Sequence, residues 1–298
     1  INTALVKAEN TILENEIKYT FVKDDMFLDV AANVYKNLRE VKNSDQYEYI
    51  LPNIMYGKTF FTEKFGIINL RSNALYSKYD TNKQKTLLTN DIIWSPSSYI
   101  SKNGFVNTLE GMIRNTNYET KKTQTSVQSY DQYKDGDIVN EINGVMTHKI
   151  SLPMKKGGIN YDNLFSPNFM VRYAPGHMKD LSGKNEILNY TNLYSLNKTS
   201  EIEKGLSAVL GFDFKINKIG PDKTEKEKLS LSLGQVFNYE KNRDIPSKSS
   251  LDQKMSDVVG EINYNFSKIG KIDYKFALDH NFSELNYNEV STELNFGK

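Results

Sequence analysis

The run Lys271-Ile272-Asp273-Tyr274-Lys275-Phe276-Ala277-Leu278-Asp279 decides the fold class. Its apolar side chains Ile272, Tyr274, Phe276 and Leu278 occupy every second position, with Lys271, Asp273, Lys275 and Asp279 between them. A repeat of two places alternate side chains on opposite faces, so the stretch is a strand with one dry and one wet face. Upstream, Leu206, Ala208, Leu210, Phe212, Phe214 and Ile216 alternate in the same way with Ser207, Gly211, Asp213 and Lys215. Downstream, Val290, Thr292, Leu294 and Phe296 alternate with Glu289, Ser291, Glu293 and Asn295. Further alternating stretches fall at 16–22, 26–35, 66–79, 85–94, 105–118, 139–152, 168–173, 229–239 and 258–266. No segment carries the spacing of an amphipathic helix beyond about two turns.

Turn residues punctuate these runs. Lys23-Asp24-Asp25, Thr81-Asn82, Lys102-Asn103-Gly104, Lys156-Gly157-Gly158 and Lys268-Ile269-Gly270 are short polar or glycine-bearing links of the kind that close antiparallel hairpins. Longer polar stretches lie at 120–137 and 241–253. The expected fold is all-β, an antiparallel meander. Many of the alternating runs reach about 10 to 12 residues, closer to the roughly 9 to 11 of a tilted bilayer-crossing strand than to the 5 or 6 usual in water. Aromatics at run ends, such as Tyr19, Phe21, Phe237, Tyr239, Tyr264, Phe266 and Phe282, suit the interfacial girdles of a large transmembrane β-barrel. They also suit the core face of a large soluble sandwich; strand length favours the membrane barrel, and the alternatives left open are another outer-membrane barrel, a porin or receptor, and a soluble adhesin-like β-sheet binding module.

Composition removes other classes. The 298 residues hold 38 Lys+Arg against 37 Asp+Glu and no Cys, which excludes a strongly basic nucleic-acid binder, a disulfide framework and a cysteine-ligated metal site. No apolar run of about 18 residues is present to form a transmembrane helix. The histidines, His148, His177 and His280, have no metal-ligand spacing, and Ser247 to Ser250 lacks a nucleophile elbow. No catalytic residue, cofactor site or metal site is expected. Lys18, Arg71, Arg114, Lys149, Arg172, Lys215 and Lys275 lie on polar faces where they would attract phosphates or acidic sugars, although a lumen wall of mixed charge would carry them without any such role. Pro52 and Pro153 remove ladder donors and mark strand ends, bulges or a weakened seam.

Three segments together resemble the barrel domain of the LPS-assembly protein LptD family, also called OstA or Imp. The first is Leu231-Ser232-Leu233-Gly234-Gln235-Val236-Phe237 with its loop and the following Ser256-Asp257-Val258-Val259-Gly260-Glu261-Ile262. The second is Phe165-Ser166-Pro167, continued by Met170-Val171-Arg172-Tyr173-Ala174-Pro175 and then Asn192-Leu193-Tyr194-Ser195-Leu196-Asn197. The third is Tyr47-Glu48-Tyr49-Ile50-Leu51-Pro52. Tyr47, Pro52, Pro167, Arg172, Tyr173, Pro175, Gly234, Gln235, Asp257 and Gly260 are the motif positions. The resemblance implies a Gram-negative outer-membrane barrel that handles lipopolysaccharide without being an enzyme. Implied partners are an LptE-like lipoprotein plug, an LptA-like periplasmic bridge and outer-membrane lipid; the residues that touch lipopolysaccharide are not implied. Residues 1–298 read as one barrel-domain fragment of about 13 or 14 strands, without the family's amino-terminal jelly-roll domain.

Overall fold

The computed structural model describes residues 12–38, 46–121, 138–220, 224–266 and 270–294. The starting residues, most of the 120–137 link, Lys268-Ile269 and the final residues from Asn295 lie outside the described set. Among the described residues the structure consists of fifteen strands and one short 3-10 turn, Ser247–Ser249. The strands are β1 Ile12–Lys23, β2 Met26–Asn37, β3 Tyr47–Thr62, β4 Gly66–Tyr79, β5 Gln84–Ser95, β6 Tyr99–Ile100, β7 Val106–Lys121, β8 Ile138–Ser151, β9 Met154–Lys156, β10 Tyr161–Ala174, β11 Gly205–Ile219, β12 Glu225–Asn238, β13 Val258–Asn265, β14 Gly270–Leu278 and β15 Leu285–Leu294. The chain forms two compact units, one of residues 1–94 and 113–142, the other of 95–112 and 143–298.

In the first unit β1 to β5 pair in chain order, each antiparallel to the last, followed by parts of β7 and β8. Alternation gives it a polar face. Glu16 accepts from Asn33 at 2.8 Å, Glu14 from Tyr35 at 2.8 Å, and Glu48 from both Ser77 and Tyr79. Lys18 pairs with Asp29 at 3.2 Å, and Arg114 grips Asp91 through two nitrogens at 2.7 and 2.9 Å. Gly57, directly across from Phe27, leaves room for that ring over the backbone. The opposite face carries Ile17, 81 % exposed, with Tyr19, Phe60 and Leu88. One polar row interrupts it: Ser72 donates to Asn90, Asn90 to Asn115, and Asn117 to Asn115.

Pro52 stands inside β3, where the register on both neighbours slips between Ile50 and Asn53. A residue without an N–H cannot complete a ladder, and the bulge absorbs it. Pro153 acts differently: it falls between β8 and β9, just past the end of the 139–152 run.

Within the second unit the order in the sheet is β7, β8, β10, β11, β12, β13, β14 and β15, with β6 on β7 and β9 on β10. Its two faces are inverted relative to a water-soluble sheet. On β10, Tyr173 is 54 % exposed and Phe165, Phe169 and Val171 are exposed with it, whereas Arg172 is 3 % exposed and Asp162 and Asn168 are buried. Register carries this across strands: Phe165 faces Phe214, Pro167 faces Phe212 and Phe169 faces Leu210, while Asn168 faces Gly211 and Arg172 faces Ser207. Apolar side chains turned outward and polar ones inward are what a bilayer asks of a strand. Strands β1 to β5, β7, β8 and β10 to β12 are 12 to 16 residues long, which exceeds that crossing length. The fold is an all-β antiparallel meander of the kind that makes part of a large transmembrane β-barrel.

Connections within this unit are unequal. At one end residues 157–160 join β9 to β10; at the other run 175–204, 239–257 and 279–284. The two longest are folded against the polar face. Leu181, Leu188 and Leu193 of one loop and Ile245 and Leu251 of the other join Met170, Val209, Val236, Val259 and Ala277 of the strands in one buried cluster. Each fully buried Leu or Ile stabilises this arrangement by about 1.5 to 3 kcal/mol. The stretch 241–253 therefore contributes core despite its polar average. Phe282 also departs from its expected strand end, occupying the 279–284 turn at φ 58 with its N–H bonded to Asp279.

Candidate functional site

The polar face of the second unit under its two long loops concentrates the chemistry. Arg172, near the loop end of β10's inward row, reaches up into loop 175–204. Its Nε donates to the Leu196 carbonyl at 2.5 Å, Nη1 donates to the Glu203 carbonyl at 2.7 Å, and Nη2 lies 2.7 Å from the Glu203 carboxylate. Glu203 is buried too, and its second oxygen accepts from the backbone amides of Lys198 and Thr199. One ion pair thus ties both ends of a loop turn to the wall. Breaking such a pair strands a charge away from water, a cost of about 3 to 5 kcal/mol.

Asp213 of β11 forms a second node. It accepts from Tyr190 of the loop at 2.7 Å, from Ser232 of β12 at 2.6 Å and from Asn168 of β10 at 2.8 Å. Burial and the Asp213 carboxylate push the Tyr190 hydroxyl well above its ordinary pKa, and burial does the same for Tyr194. Tyr194 stacks edge-on against Tyr190, and the Lys149 ammonium sits 4.3 Å from its ring centre. These rings fit because the wall beneath is bare: Gly211 faces Gly234 across β11 and β12. A Cβ on Gly211 would strike the Leu233 carbonyl and the Tyr194 hydroxyl, and one on Gly234 would strike Leu193.

The motif residues of this unit largely serve that packing. Gln235, next to Gly234, donates to the Ser256 carbonyl at 2.7 Å, and the Ser256 hydroxyl accepts from the Val236 amide. The Asp257 amide donates to Ser250, and its carboxylate accepts from Asn286 at 2.9 Å. Burial raises the Asp257 pKa above the usual carboxylate range. Gly260 lies under the Phe276 ring on the apolar face, opposite Leu233 and Phe276 in register. Pro167 turns its missing N–H toward the gap between β8 and β9, where its carbonyl accepts from Leu152. Tyr173 faces outward, and Pro175 opens the long loop. Tyr47 and Pro52 belong to the first unit, where Tyr47 stacks on Tyr49 with Lys36 5.4 Å from its ring centre.

Of the seven cations singled out by pattern, Lys18, Arg114, Arg172 and Lys215 are held by carboxylates. Lys275 sits across from Glu261 and Glu289. His148 contacts Asn107 and His280 pairs with Asp279; no group of three metal-ligating side chains exists among the described residues. Glu203, Lys198 and Tyr190 escaped sequence reasoning, and Tyr194 entered only as part of a quoted segment, because a loop side chain acquires its partner only through tertiary folding. Asp213 was legible as a charge on the wet side of β11, though not as a three-way acceptor.

No curated protein sequence matches the chain. The sequence profile of LptD, described as LPS transport system D, matches residues 4–298. That span takes in the inverted strands, the loop-anchoring Arg172 and the glycine pair, so the chain belongs to the LptD family, whose members are outer-membrane proteins, and functions in lipopolysaccharide transport.

Proposed function

We propose that the chain is a wall of an outer-membrane passage, without catalysis, along which lipopolysaccharide travels to the outer leaflet with its sugars on the polar face and its acyl chains on the lipid side. The observation that carries this reading is the inversion of the strands: Arg172, Asp213 and Asn168 turn inward while Tyr173, Leu210 and Phe169 turn outward. An amphiphile moving along such a sheet finds hydrogen-bonding partners for its head and an apolar medium for its tails. No bond needs to be made or broken. In this orientation the end bearing the long loops 175–204 and 239–257 faces the cell exterior and the opposite end faces the periplasm, as in other barrels.

An LptE-like lipoprotein occupying the lumen, and an LptA-like bridge delivering substrate through another part of the assembly, are the partners that this reading requires. Both come from the family likeness. The experiment is site-specific photo-crosslinking in cells, with the probe placed at Arg71 or Lys275 on polar faces and at Ile17 or Leu210 on apolar faces. Polar-face probes are expected to capture lipopolysaccharide or the lipoprotein, and apolar-face probes lipid acyl chains without the lipoprotein. Absence of lipopolysaccharide and lipoprotein adducts from every polar-face probe sinks the reading.

A further inference from the structure

At the loop-bearing end of the second unit, a cavity of about 440 Å³ opens between residues 198–207 and 236–251. Arg172, Glu203 and Lys198 line its inner part, and the exposed Lys204, Lys241, Glu240 and Asp244 line its rim. The inner charges do not balance. Arg172 and Glu203 neutralise one another as an ion pair at 2.7 Å, which leaves the Lys198 ammonium, on a residue only 6 % exposed, with no ion pair among the described residues. Two cations and one carboxylate therefore hold one uncompensated positive charge out of water, an arrangement that is costly unless a ligand completes it. Rim carboxylates do not supply the remedy, since exposed charges are screened by solvent. Burial first, then the neighbouring Arg172, push the Lys198 pKa down to about 8, so the group is still mainly charged at neutral pH.

We infer that this cavity is a binding site for a single phosphate group, with Lys198 as its principal donor and Arg172 as the supporting charge. A lysine ammonium suits phosphate as a point charge with three donors. The space exceeds one phosphate and admits the group while it is carried on a sugar. Two sources share this chemistry: free inorganic phosphate, and phosphorylated saccharide of a lipopolysaccharide in transit. The second source rests on the transport reading above; the site itself does not.

The test uses the whole chain folded in detergent micelles, with inorganic phosphate as the first probe and calorimetric titration as the readout. Saturable binding is expected, with proton uptake as Lys198 becomes fully charged. Lys198→Met is expected to weaken it by about ten-fold or more, and Lys198→Arg to retain most of it. Equal affinity in wild type and Lys198→Met overturns the site. Should Lys198→Met fail to fold, acylation of wild-type Lys198 by acetic anhydride, mapped by mass spectrometry, decides: slowing by phosphate supports the site and unchanged labelling overturns it. A second arm compares intact with dephosphorylated lipopolysaccharide. Preference for the intact form that Lys198→Met abolishes assigns the phosphate to the transported lipid. Equal binding of the two forms, with phosphate binding preserved, overturns that source and leaves the site to free phosphate.

Discussion

At the scale of single residues, Lys198 makes a stability argument with a definite sign. Its pKa falls from the ordinary 10.5 to about 8 on folding. A lowered base loses stability where it is charged in both states and recovers it where it is neutral in both. The penalty is therefore complete below about pH 8 and gone above pH 10.5, and at 1.36 kcal/mol per unit it amounts to about 3 kcal/mol. Lys198→Met should raise the denaturation midpoint of the chain at pH 7, with the advantage disappearing toward pH 10.5. A variant no more stable than wild type at pH 7 would show that the ammonium is already neutralised. The glycine pair offers the opposite sign. Gly234→Ala drives a methyl into Leu193, and overpacking of this kind costs about 1 to 3 kcal/mol. Gly183→Ala, where nothing lies within 4 Å, should stay within about 0.5 kcal/mol of wild type. Urea titration of both in the same detergent checks the contrast, and equal midpoints would remove the close-packing account.

At the scale of elements, strands were legible and loops were not. The run 66–79 read from alternation coincides with β4 Gly66–Tyr79, and 258–266 differs from β13 Val258–Asn265 by a residue. A face rule repeated over a dozen positions averages out local exceptions, so even Pro52 could be placed as a bulge candidate. The loops have no such period. Leu181, Leu188 and Leu193 are spaced irregularly along a polar stretch, and only contact with Val209, Val236 and Val259 gives them a core. Residues 239–257 carry the same lesson: the Asn238 side chain donates to the Leu251 and Gln253 carbonyls and the Ser249 hydroxyl to the Pro246 carbonyl, bonds that alternation cannot announce. Folded loops resist proteases because cleavage needs local unfolding. Trypsin acting on the detergent-solubilised chain should therefore cut after Lys198 far more slowly than after the same residue in an Arg172→Ala variant, in which the loop loses its anchor. Equal cleavage rates, followed by mass spectrometry, would mean that Arg172 does not hold the loop.

At the scale of the molecule, the near-neutral composition and the membrane reading are reconciled by where residues point. Thirty-eight positive side chains against thirty-seven negative would suit many soluble proteins. Here Lys215 pairs with Glu227 and Lys155 bridges Asp162 and Glu225, so charge is spent along the polar face. The outward face meanwhile leaves Ile142, Tyr173, Leu210 and Val290 uncovered. The family match supplied what pattern could not, since alternation alone is also met by a large sheet with a buried apolar side. Charge placed on either face tests which side meets an apolar medium. Leu210, the sixth of the 15 residues of β11, points to lipid in the membrane reading, and a lysine there should cost about 2 to 4 kcal/mol in a bilayer. Ser291, opposite Asp273 on the polar face of β15, should accept lysine at little cost, because Asp273 and Lys271 already form a mixed-charge surface there. Reversible urea unfolding in phospholipid vesicles, monitored through tyrosine and Trp94 emission, measures both variants. A large loss for Leu210→Lys with near-neutral Ser291→Lys supports lipid on the Leu210 side; the reverse order would mean that the wet and dry faces have been assigned the wrong way round.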